Sequence, residues 1–119
     1  MEGTNIKDLK ALPEKVDIAV VDLSYISLKL ALENIFNLVR EYGRVICLFK
    51  PQFEAGKGVV PKDGVIKNEP LRETILRNFL AWCIKEKFPR PKVMQSPVIG
   101  GDGNIEYLLH FQVRHEPIQ

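Results

Sequence analysis

Two short runs of β-branched and small apolar residues, VDIAVVDLS (Val16 to Ser24) and RVICLF (Arg44 to Phe49), flank a segment with a different period. In that segment Leu28, Leu32, Ile35, Phe36 and Val39 recur at three and four, Ser27 stands where an N-cap belongs, and Gly43 follows the last turn. This is the pattern of a helix between two strands. The first run reads as a strand covered on both faces. Short links between strand, helix and strand leave room only for a βαβ unit, which requires neighbouring parallel strands joined by a right-handed crossover.

The second half of the chain completes an α/β sheet. KPQFEAGKGVVPKDGVIKN, Lys50 to Asn68, has no sustained period and reads as a long loop. A second helix opens at Asn68 as N-cap with Pro70 in its first turn, presents Leu71, Ile75, Leu76, Phe79, Leu80 and Cys83 on its apolar face, and ends before Pro89. PKVMQSPVIG gives a short strand interrupted by Pro97, GDGN a turn, and IEYLLHFQV (Ile105 to Val113) a final strand. With only a turn between them, the last two strands should pair antiparallel as a hairpin. The pattern therefore predicts an α/β fold, mostly parallel, with an antiparallel strand near its end. It matches the second half of a nucleotide-binding or methyltransferase-like sheet, and a flavodoxin-like sheet shares the same pattern.

At 119 residues, 45% hydrophobic and 27% charged, the chain has the length and composition of one globular domain or a piece of a larger one. A net charge of +2 permits a nucleic-acid partner without demanding one. Cys47 and Cys83 lie in apolar patterns with no CxxC spacing, as expected of reduced, buried thiols in a cytoplasmic protein. No signal segment or run near the ~18 apolar residues of a membrane span is present. His110 and His115 have no cysteine or acidic cluster beside them, so no metal site is expected.

In open α/β sheets the ligand crevice lies outside the carboxyl ends of the parallel strands. Asp22 after DIAVV and Lys50 after VICLF fall at those ends. Glu106 lies early in the last strand, where alternation puts it on the face of Leu108 and His110. Each has a plain reading as a solvated strand terminator or edge residue. Together they would form a coupled network suited to orienting or deprotonating a weakly acidic hydroxyl during group transfer, or a structural ion-pair network. The loop EAGKGVVPKDG, with Gly56, Gly58, Lys57, Lys62 and Asp63, matches neither GxxxxGK[ST] nor GxGxxG; a lid, an RNA-backbone contact or a solvated loop fits it.

Three segments, VDLSYISLKLAL, FKPQFEAGKGVV…KDGVI and SPVIGGDGNIEYLLHF, resemble consecutive motifs of the TlyA (hemolysin A-like) family of ribosomal RNA 2′-O-methyltransferases, relatives of the FtsJ group. The resemblance runs from about Glu2 to His110 and implies the C-terminal half of a class I, Rossmann-like sheet that uses S-adenosyl-L-methionine. It also implies a Lys-Asp-Lys-Glu tetrad for ribose methylation, of which Asp22, Lys50 and Glu106 are the matching members. Thr4, Asn5, Asp22, Leu23 and Ser24 are the implied cofactor contacts. The implied substrate is a cytidine of ribosomal RNA, within RNA or a ribosomal subunit, in the cytoplasm and away from membranes.

The same resemblance implies that 1–119 is a partial FtsJ-like domain. It lacks the family's S4-type domain, the strand and glycine-rich turn for the methionine portion of the cofactor, and the tetrad's first lysine. Two expectations follow: a catalytic part inactive as an isolated fragment, or a non-catalytic remnant that binds RNA or protein. The DIAVVDL strand should then expose an edge that pairs with a missing N-terminal half or with itself.

Overall fold

In the computed structural model, residues 14–56 and 58–115 are described. Strand β1 (Val16–Val21) leads through a 3₁₀ turn (Leu28–Leu30) and helix α1 (Leu32–Asn37) into β2 (Val39–Phe49). A single helical turn, α2 (Pro51–Glu54), follows at once, then an irregular stretch, α3 (Glu69–Lys85), β3 (Lys92–Gln95) and β4 (Tyr107–Gln112). The sheet order is β1-β2-β4-β3. β1 pairs parallel with β2, and β4 pairs antiparallel with both β2 and β3. Three strands thus run one way with β4 inserted against them. The βαβ unit and the terminal hairpin both form as expected, in a mixed sheet.

Alternation on the strands divides the two faces. Val45, Cys47 and Phe49 of β2 and Leu109 and Phe111 of β4 point to one side and are buried against Leu32, Ile35 and Phe36 of α1 and Ile75, Phe79 and Cys83 of α3. Aromatic edges tighten this layer: Phe36 meets Phe111 at 5.4 Å and Phe88 at 5.0 Å, and Phe49 meets Phe79 at 5.0 Å between ring centroids. On the other side Ile18 and Val20 of β1 stay 56% and 76% exposed. β1 is therefore covered on one face, not both.

Besides the α2 turn, which forms inside the stretch read as a long loop, three local expectations change. The first helix stops at Asn37, and Val39 to Gly43 already belong to β2. The β1–β2 register jumps from Val16↔Val39 to Ile18↔Arg44, so Arg40 to Gly43 loop out as a bulge, with Tyr42 at φ 65°. Gly43 is not a helix cap: a Cβ there would sit 2.5 Å from Val39 Cγ1 and 2.7 Å from the Asp17 carbonyl oxygen. Strand pairing has overridden an apolar spacing that local period alone assigns to helix. Third, β4 begins at Tyr107, leaving Ile105 and Glu106 in the preceding turn segment.

The second helix follows its sequence signals. Asn68 caps it by accepting from the Leu71 amide at 3.0 Å, and Pro70 occupies the first turn. Its buried stripe is Arg72, Ile75, Phe79 and Cys83, with Leu71, Leu76 and Leu80 only partly covered. Arg72 is tolerated inside because its Nε donates to the Tyr107 hydroxyl at 3.2 Å.

Candidate active site

The carboxyl ends of β1 and β2 lie side by side, and each delivers one charge. Lys50 ends β2 in an extended conformation, and Pro51 takes the first position of α2, where its missing N–H is no loss. The Lys-Pro junction is thus the hinge from strand to helical turn. Lys50 Nζ lies 2.5 Å from Asp22 Oδ1 and donates to Ser24 Oγ at 3.0 Å. The lysine side chain is only 12% exposed, whereas Asp22 is 63% exposed. With two N–H bonds directed at Asp22 and Ser24, the third is available to an oxygen entering from the crevice.

The α2 turn is fixed on both sides by its own side chains. Glu54 accepts from the Ser27 hydroxyl at 2.6 Å and from the Leu28 amide at 2.8 Å, tying α2 to the loop after β1 that carries Asp22 and Ser24. Burial holds the Glu54 carboxyl above its ordinary range, although the two hydrogen bonds and Lys29 pull the other way. Gln52 is buried and reaches the opposite side, its amide nitrogen donating to Asp102 Oδ2 at 3.2 Å and Glu106 Oε2 at 3.3 Å. Gly100 makes this possible, because a Cβ there would lie 2.6 Å from Glu106 Oε2.

Asn104 completes the frame. Fully enclosed, it donates to the Gly64 carbonyl at 2.9 Å and accepts from the Ile66 amide at 2.9 Å, so the end of the long loop is pinned to the turn before β4. Asp102 accepts from the Asn104 backbone amide at 3.0 Å, the bond that does most to hold its carboxyl below the usual range, with the Asn104 and Gln52 side chains adding to it.

Of the expected site residues, the structure joins Asp22, Lys50 and Ser24. Glu106 stands apart: it is buried at 7% exposure, ahead of β4 and not on a strand face with Leu108 and His110, and it makes no ion pair with Lys50. Its link to the lysine runs through Gln52, two residues along the chain. Leu23 packs against the core. Thr4 and Asn5 lie outside the described residues. Sequence reasoning missed Gln52, Glu54 and Asn104; the available signal was three polar residues set in otherwise apolar or turn-forming motifs.

The sequence matches the FtsJ-like methyltransferase family over residues 1–113. The chain belongs to that family. Hemolysin A of Brachyspira hyodysenteriae is 38% identical over 114 residues, covering 93% of this chain and 48% of that protein. The "16S/23S rRNA (cytidine-2'-O)-methyltransferase TlyA" of Mycobacterium tuberculosis is 36% identical over 114 residues, 92% of this chain and 41% of its own length. Among solved structures, "Putative hemolysin from Streptococcus thermophilus" superposes with a TM-score of 0.85 at 31% identity, covering 96% of this chain and 42% of that one. The chain thus spans less than half the length of these relatives. Its mixed α/β sheet is that of an FtsJ-like methyltransferase fold.

Proposed function

We propose that the chain carries the acceptor-activating part of an S-adenosyl-L-methionine-dependent methyltransferase that modifies the ribose 2′-hydroxyl of a cytidine in ribosomal RNA, in the cytoplasm. The observation that carries this reading is the Lys50–Asp22 pair at the carboxyl ends of two parallel strands, with Ser24 as the lysine's second partner.

Lys50 is held by Asp22 and Ser24 so that its remaining N–H donates to the 2′-oxygen, orients it and stabilises the negative charge it gains as its proton passes to solvent. That oxygen would then be the nucleophile toward a methyl donor held in the crevice. When bound, the cofactor supplies an electrophilic methyl on a sulfonium. The residues present fit a cationic group of that kind: Asp22 engages Lys50 through one oxygen yet remains 63% exposed, so its carboxylate is still open to a second cation. Asp22, Leu23 and Ser24, with Thr4 and Asn5, would hold the cofactor. Glu106 acts through Gln52 to fix the α2 turn and with it Lys50. The chain spans less than half the length of its relatives, so the assay supplies the remainder from one of them.

The test is methyl transfer from labelled S-adenosyl-L-methionine to ribosomal RNA, with the chain supplemented by the N-terminal part of a relative as a separate polypeptide. Lys50→Met should lower transfer by roughly 100-fold to 1,000-fold, the range for losing one donor to a developing negative charge. Equal transfer by the variant would refute the assignment.

A further inference from the structure

The exposed face of the sheet carries a cluster of cations that the strand-end site does not use. Arg44 of β2 lies opposite Gln112 of β4, and His110, two residues back on β4, lies directly opposite Lys92 of β3. The period of two puts all four side chains on one face, the face turned away from α1 and α3. Arg90, two residues before β3, joins them around a cavity of about 290 Å³ lined by Arg44, Arg90, Lys92, His110 and Gln112. Among the described residues no carboxylate lines it, and none forms an ion pair with Arg44, Arg90 or Lys92.

Arg44 and Lys92 lie on the strands that flank β4, and with Arg90 they gather three like charges around one cavity, where they repel one another. Three basic residues around one cavity also exceed the whole chain's net charge of +2, so the rest of the surface is close to neutral or slightly acidic. The cluster is a local field, not a share of general basicity, and an anion relieves its repulsion. Arg44 lies six residues before Lys50, which follows the last residue of β2, so the cavity is roughly 20 Å from the lysine at ~3.3 Å per residue. A single mononucleotide cannot bridge that span, whereas a polymer with one phosphate per residue can.

We propose that this cavity binds the phosphodiester backbone of the RNA acceptor, several nucleotides away from the modified ribose. The inference rests on the RNA-methyltransferase reading above and adds the path of the strand across the open sheet face.

Binding of fluorescein-labelled oligocytidylate to the full chain, followed by anisotropy between about 50 and 200 mM salt, tests it. Loss of two single-strand phosphate contacts in Arg90→Ala/Lys92→Ala should flatten the log–log salt slope by about 1.4. Arg77→Ala/Lys85→Ala, which removes the same charge from exposed positions of α3, should leave the slope unchanged. As a second readout, oligocytidylate should shift the amide resonances of Lys92 and His110 more than that of Lys85. Equal flattening in both double variants would reduce the effect to net charge, and no flattening, or shifts absent from β3 and β4, would remove RNA from this face and leave it to an acidic polypeptide. Each of these outcomes overturns the proposal. The methyl-transfer assay judges the underlying reading independently, because it depends on Lys50.

Discussion

At the scale of single residues, burial decides which groups stay chemically quiet. It pushes the thiols of Cys47 and Cys83 up to about 12. Neither should therefore react with an aromatic disulfide reagent at neutral pH until the chain unfolds; prompt labelling of the native protein would contradict the packing of β2 against α3. Glu54 offers a pH signature. Its folded-state pKa is raised, so between the ordinary carboxylate range and that raised value the folded chain holds the proton more firmly than the unfolded one. Stability contributed by this group therefore falls as pH rises through that window. Urea midpoints measured across it should decline less steeply in Glu54→Gln, which removes the titration; an unchanged slope would show that Glu54 is not the group responsible. Asp102 works in the opposite sense, since its lowered pKa gives stability that is lost as the pH falls into the acid range.

Among the elements, the β2 bulge and the turn before β4 are the two most demanding pieces. Gly43→Ala forces a methyl against Val39 Cγ1 and the Asp17 carbonyl, both within 2.7 Å. A loss of about 1–3 kcal/mol is expected, the range for overpacking, and chemical denaturation measures it. Asn104→Ala strands the Ile66 amide and the Gly64 carbonyl. It should cost about 1–3 kcal/mol for the orphaned groups and raise amide exchange at Ile66 while leaving α3 protected; unchanged exchange at Ile66 would argue against the pin. The α3 boundaries were legible in sequence because Asn68 and Pro70 act within one turn of where they stand. The end of α1 was not, because Leu38 and Val39 satisfy a helical period and a strand equally, and only the β1 partner distinguishes them.

For the whole molecule, the sheet order leaves β1 at an edge of the described sheet with Ile18 and Val20 exposed. An unpaired edge flanked by apolar side chains is a template for pairing. Sedimentation velocity should show concentration-dependent self-association that Val20→Lys suppresses; a monomer at every concentration would mean that the edge is blunted by other parts of the chain. By itself the sequence determined the βαβ unit, the cap of α3, the antiparallel terminal hairpin and the delivery of Asp22 and Lys50 to strand ends, since each follows from periods and caps acting over a few residues. The tertiary structure alone decided that β4 enters between β2 and β3, that Arg72 is buried against Tyr107, and that Gln52 meets Asp102 and Glu106. Those contacts join residues 35 to 54 positions apart, and no local pattern encodes which partner a buried polar group will find once the chain has closed on itself.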